Sequence, residues 1–259
     1  FFKQIDLLIV GKLSKDIKAQ LPKNINLREI SIQNFSIIKK NRYVDYYSKS
    51  KLFKINENDV FSLDHITEKK IINNLKKYLN KNYKFVLADF GHGLFNKGIV
   101  KFLNSNKIIK YINCQSNSSN YGYNIFTKFN NSKLTCVDEN EFRLSTQERL
   151  EKIRPLILRN RKFLKKFKNL IVTMGKNGCY FLNLKRLTFV PTLFKNQIDT
   201  LGAGDAFFSG MIICDHLNIS EEEKSVISHI FGGIHSNVYG NEKYLTKEKV
   251  LTTLKYILK

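Results

Sequence analysis

The run Asp199-Thr200-Leu201-Gly202-Ala203-Gly204-Asp205 holds the two things that transfer of a phosphoryl group asks of a protein. One is a set of donors for the phosphate, the other a base for the attacking hydroxyl. Gly202, Ala203 and Gly204 carry no bulky side chain, so their N–H groups can converge on an anion. They also open a helix carrying Ala206, Phe207 and Gly210, whose dipole favours negative charge at that end. Asp205 falls in the first helical turn, where its carboxylate can accept a proton from a substrate hydroxyl. A glycine turn followed by an Asp that stabilises a helix N-terminus accounts for the same residues. On the glycine run alone both readings stand.

Other chemistries fail on inspection. There is no GxxxxGK[ST] run, since Gly11-Lys12 and Gly175-Lys176 lack the upstream glycine. There is neither an HExxH zinc motif nor a GxSxG nucleophile elbow. His216, His229 and His235 fall in predicted helices without partners at metal spacing, and are expected to be structural.

The elements around these residues alternate. Strands are predicted over 5–10, 85–88, 108–113, 169–174, 179–183 and 187–190, the last two as antiparallel neighbours. Segments 42–48 and 51–55 read as a hairpin. Helical spacing covers 71–79, 96–103 and 141–167, the last broken at Pro155, then 204–217, 220–237 and 246–258. Such alternation predicts an α/β fold with a mostly parallel central sheet covered on both faces and a small projecting hairpin. Ligands in such folds gather at the carboxyl ends of the strands. The turn at Gly175 and Gly178 permits close approach of backbone to a ligand.

Taken on to Ala206 and Phe207, the Asp199 run resembles the signature of the ribokinase-like (PfkB) carbohydrate kinases. The resemblance runs from about residue 36 to the C-terminus. It implies a ribokinase-like three-layer fold, ATP as co-substrate, Mg2+, and a sugar or sugar phosphate as acceptor. In its terms Asp205 is the catalytic base beside Gly202, Ala203 and Gly204, with Asp199 and Thr200 on the nucleotide side. The segment 171–178 resembles the family's strand and turn beside the nucleotide, which places Thr173, Gly175 and Gly178 near ATP. Gly232, Gly233 and Asn237 resemble its adenine-side wall, where small residues leave space for a flat ring. Asp138-Glu139-Asn140-Glu141 stands where the family has Asn-x-x-Glu, linked to magnesium and phosphate, with Asp138 replacing the Asn. An acid-rich helix start is the plainer account of Asp138 and Glu141. Residues 88–93 and 113–124 resemble the kinase part of bifunctional heptose kinase/nucleotidyltransferases. That likeness implies sugar contacts for Asp89, Asn113 and Gln115. Lys40 and Arg42, entering the lid-like hairpin 36–55, would meet a sugar phosphate, with solvated surface charge as the alternative.

The family begins with a strand and a Gly-Gly segment that contacts the sugar, and nothing here corresponds to them. The chain opens on Phe1 rather than Met. The expectation is one kinase domain over 1–259 without that segment, with a fused or lost nucleotidyltransferase and a homodimer through the lid. A non-catalytic kinase-like module that binds nucleotide or sugar is the alternative. Composition narrows the field further. The net charge of +22 points first to nucleic acid, but of 44 basic residues 8 are Arg and the remaining 36 are Lys spread along the chain. Base readers concentrate Arg and aromatics on one element, so no nucleic-acid partner is expected. No apolar run reaches the roughly 20 residues that span a bilayer. The four scattered cysteines fit a reducing cytoplasm.

Overall fold

The computed structural model describes residues 2–32, 37–57, 60–79, 82–194, 196–239 and 245–258. Position 36, where the lid-like range begins, and both ends of the 1–259 range lie outside them. Among the described residues the main sheet has six strands in the order β10-β9-β8-β7-β6-β5. They are β5 (Lys84–Asp89), β6 (Ile109–Cys114), β7 (Leu134–Asp138), β8 (Asn169–Thr173), β9 (Cys179–Asn183) and β10 (Leu187–Val190). β5 to β8 run parallel, so their carboxyl ends share one edge, while β9 and β10 add an antiparallel margin. β1 (Ile5–Val10) and β2 (Ile25–Ile30) form a separate parallel pair, and β3 (Lys39–Val44) and β4 (Lys51–Glu57) the antiparallel hairpin.

Period-two alternation in the inner strands builds two cores. Ile112, Val137, Leu170 and Val172 face one way, toward α3 (Lys97–Ser105) and the helical stretch after β7. Tyr111, Cys136, Ile171 and Phe181 face the other, onto Phe207, Phe208 and Met211 of α7 (Ala203–Cys214). α8 (Glu221–Ser236) packs on α7, and α9 (Lys247–Ile257) on α8. All four cysteines are buried and free, which agrees with their scattered spacing.

Several details depart from the sequence reading: the first hairpin strand is Lys39–Val44 rather than 42–48, because 46–48 form the turn, and β2 and β7 are strands it lacks. The helical stretch 141–167 is three helices: α4 (Glu139–Thr146), α5 (Ile153–Arg159) and α6 (Arg161–Leu164). α4 stops where Gln147 turns left-handed (φ 54°), not at Pro155. Pro155 lies in the first turn of α5, where a missing N–H costs little. His216 sits in a turn past the end of α7 rather than in it.

His229 of α8 is buried at the α7 interface, its ring edge-on to Phe207 at 5.0 Å between centroids. Burial holds its imidazole down to about 4, although a bond with the Val190 backbone pulls the other way. A histidine depressed on folding adds stability above its ordinary range and loses it as pH falls toward the folded value. Between pH 7 and 4.5, the parent is therefore expected to lose about 2 to 3 kcal/mol more than His229→Phe. Urea midpoints at the two pH values test this; parallel losses in both proteins would refute it.

Candidate active site

The sheet sets the Asp205 neighbourhood. α7 begins immediately after Gly202, which is left-handed at φ 75° and offers no side-chain cap. A Cβ there would also stand 2.7 Å from Nε2 of His235. The loop leading into it is tied from two sides. The amides of Ile198 and Asp199 both donate to the Ser236 carbonyl at 2.9 Å. The Asp199 carboxylate accepts the Leu201 amide at 2.9 Å. The Ala203 amide is already committed to the Thr200 carbonyl at 3.1 Å. Beside Gly204, in contrast, a Cβ would meet nothing within 4 Å, so bare backbone at the helix start faces open space.

Asp205, in the first turn, is met by two amide side chains from β6 and the residue after it. Asn113 Nδ2 donates to Oδ1 at 2.8 Å and Gln115 Nε2 to the same oxygen at 2.6 Å. Burial raises the carboxyl's pKa, while those two donors and His235 hold it back. His235 is expected from sequence to be structural, yet its Nε2 is buried without a hydrogen-bond partner and lies against Gly202. A lone helical histidine carries no signal of that placement.

At the end of β7, Asp138 and Glu141 form a reciprocal capping box for α4. Glu141 Oε2 accepts the Asp138 amide at 2.7 Å, and Oε1 the Ser116 amide at 2.9 Å. Burial and the neighbouring Asp138 charge, with a smaller push from Asp205, raise Glu141 to about 7. The plainer helix-start account of these acids therefore describes their contacts, and their crowded negative charge is also what a cation would relieve. Hard oxygen donors of this kind suit Mg2+. Among the described residues no cluster of three or more His, Cys, Asp or Glu side chains could hold a metal alone. Phosphates and water would supply most of the coordination.

The remaining residues divide between open backbone and packing. Thr173 ends β8 beside Asp138 in the register, and Gly175 (φ 53°) has open space beside it. A Cβ on Gly178 would stand 2.3 Å from the Val190 carbonyl, so this glycine permits close approach of two chain segments. At Gly233 the space is filled by the Phe194 ring, 2.2 Å from a built Cβ, and Gly232 abuts the Ala203 carbonyl. Asn237 donates to the Gly233 carbonyl at 2.9 Å, and Thr200 is exposed.

Asp89, at the end of β5, is 3% exposed. Its carboxylate pairs with Lys128 at 2.6 Å and accepts the Gly91 amide at 2.9 Å. Asn117 and Asn120 donate to the Phe90 carbonyl, and Asn124 to that of Gln115, which brings segments 88–93 and 113–124 together. A cavity of about 320 Å³ opens here among Phe61, Asp89, Phe95, Asn120, Asn124 and Lys128. The hairpin reaches this edge as well. Lys40 Nζ lies 6.0 Å from the Phe90 ring centroid, and Arg42 is exposed on β3. Lys51 Nζ meets Asp199 Oδ1 at 2.5 Å.

A family model described as pfkB family carbohydrate kinase matches residues 124–214, which include β7, β8 and the whole Asp199 run. The chain resembles the pfkB carbohydrate kinases. Phosphofructokinase-2 from Escherichia coli, solved with potassium, superposes with a TM-score of 0.77 at 12% identity, over 98% of this chain and 82% of that one. Ribokinase from Thermotoga maritima superposes at 0.68 and 17% identity, over 96% and 80%. The fold is thus ribokinase-like. In sequence, the Bifunctional protein HldE of Aliarcobacter butzleri is 25% identical over 174 residues, 63% of this chain. Inositol 3-kinase of Arabidopsis thaliana is 28% identical over 74 residues, 29% of this chain. The chain spans 35% and 21% of the length of these two relatives.

Proposed function

We propose that this chain transfers the γ-phosphoryl group of ATP to a hydroxyl of a sugar or sugar phosphate. The arrangement of Asp205 carries the reading: a half-buried carboxylate of raised pKa, in the first turn of a helix whose first backbone faces open space. Asn113 and Gln115 both land on Oδ1, which orients the carboxylate and leaves Oδ2 to take the hydroxyl proton. The helix start at Gly204 receives the negative charge of the transferring group. Asp138 and Glu141 would hold Mg2+, which when bound neutralises charge on the phosphates. Thr173 and Gly175 lie on the nucleotide side, and the cavity beside Asp89 and Lys128 takes the acceptor.

The free cysteines support a reducing cytoplasm as its location. Pairing of two copies through the hairpin is supported by its exposed apolar side chains, Tyr43 stacked on Phe53 with Leu52 and Ile55. The deciding experiment offers Mg-ATP and a panel of sugars and sugar phosphates. Labelled phosphate is expected on at least one acceptor, above background hydrolysis. Saturable ATP binding with no transfer to any of them would favour a kinase-like binding module.

A further inference from the structure

The Lys51–Asp199 contact joins residues far apart in sequence and belongs to neither the sheet nor a helix. Asp199 is almost wholly buried, its side chain 4% exposed, whereas Lys51 is half in water at 50%. A carboxylate out of water needs compensation, and an ammonium that keeps half its hydration can leave again. The same carboxylate oxygen holds the Leu201 amide, two residues before the start of α7. Lys51 opens β4, directly after the hairpin turn. It therefore carries a charge from the projecting hairpin onto the loop that shapes the Gly202 turn. At the other end of the strand pair, Lys40 stands over Phe90 beyond β5. The hairpin thus rests on both the acceptor flank and the Asp199 loop.

We propose that Lys51 is a positioning residue, an ammonium latch that couples closure of the β3–β4 hairpin to ordering of the Asp199–Gly202 loop. Its catalytic consequences rest on the phosphoryl-transfer reading, but the latch itself does not. An open hairpin leaves the Asp199 charge without this counter-ion and admits water to the transferring phosphate. A closed one shapes the loop and shields the acceptor in one movement.

Hydrogen exchange on the ligand-free chain tests the latch without turnover. In Lys51→Met, hairpin and loop amides are expected to exchange about tenfold faster or more, the rest of the sheet staying as in the parent. Lys51→Arg keeps the cation and is expected to restore protection to within about threefold. In the transfer assay, Lys51→Met should raise the acceptor KM about tenfold and the ratio of ATP hydrolysis to transfer. Unchanged hairpin exchange in Lys51→Met, or an Arg variant no better than Met, overturns the latch. If the parent phosphorylates no acceptor, the kinase reading falls and the exchange result alone decides the latch.

Discussion

Asp205→Asn is expected to slow phosphoryl transfer by about 10²- to 10⁴-fold, the usual worth of a positioned general base. The substitution is close to isosteric, and an Asn carbonyl oxygen can still accept from Asn113 Nδ2 and Gln115 Nε2 where Oδ1 does now. What disappears is the capacity to take the proton. Fold and nucleotide affinity should persist. Because burial raises the carboxyl's pKa, the native state disfavours its charged form, so the variant should unfold no earlier than the parent at neutral pH. The same shift sets the pH profile. In the parent, kcat/KM should fall on the acid side with a midpoint above the ordinary carboxylate range, and the variant's residual rate should lack that limb. Initial rates from pH 4 to 8 decide the matter. A variant within about threefold of the parent would remove Asp205 from the chemistry.

The parts of this site legible in the sequence are those where residue type and neighbours in the chain suffice. The Asp199 to Asp205 run places a glycine turn before a helix whatever surrounds it, and β5, β6 and β8 announce themselves as short apolar runs. β7 does not stand out, because Leu134–Asp138 is only five residues long and mixes Thr and Cys with its apolar positions. β2 alternates only over Ile25–Arg28 before Glu29 breaks the pattern, too short a run to stand out from a loop. Contacts between distant segments left no trace in sequence. Lys51 is one lysine among 36 of the 44 basic residues, and only the folded hairpin singles it out. His235 reads as a helical histidine until α8 packs its ring against Gly202. The glycines divide for the same reason. Gly178 and Gly233 are small because Val190 and Phe194 come close, while Gly204 is small beside open space. Sequence shows three glycines and cannot say which of them a ligand needs.

That division yields the other large effect, a contrast between Gly202 and Gly204. Gly202→Val places a β-branched residue at φ 75°, a conformation it strongly disfavours, and drives Cβ to within 2.7 Å of His235 Nε2. The turn must shift, and with it the amides that open α7. Transfer should fall by about 10²- to 10³-fold, the loss seen when one donor of an anion hole is removed, and stability by about 1–3 kcal/mol. Loss of both together would not separate a damaged site from a damaged fold, and Gly204→Ala does so. Gly204 has helical geometry, and a Cβ there meets nothing within 4 Å. Alanine at that point should stabilise the protein by about 0.5–1 kcal/mol through its helix preference. Its methyl group, however, stands in the open space where the phosphate is to sit. A more stable protein that binds Mg-ATP at least about tenfold more weakly is the expected result, read by calorimetry beside thermal unfolding. A Gly204→Ala protein that is more stable and binds nucleotide as the parent does would place the phosphate elsewhere. The open space beside Gly204 would then be no more than the surface of a helix.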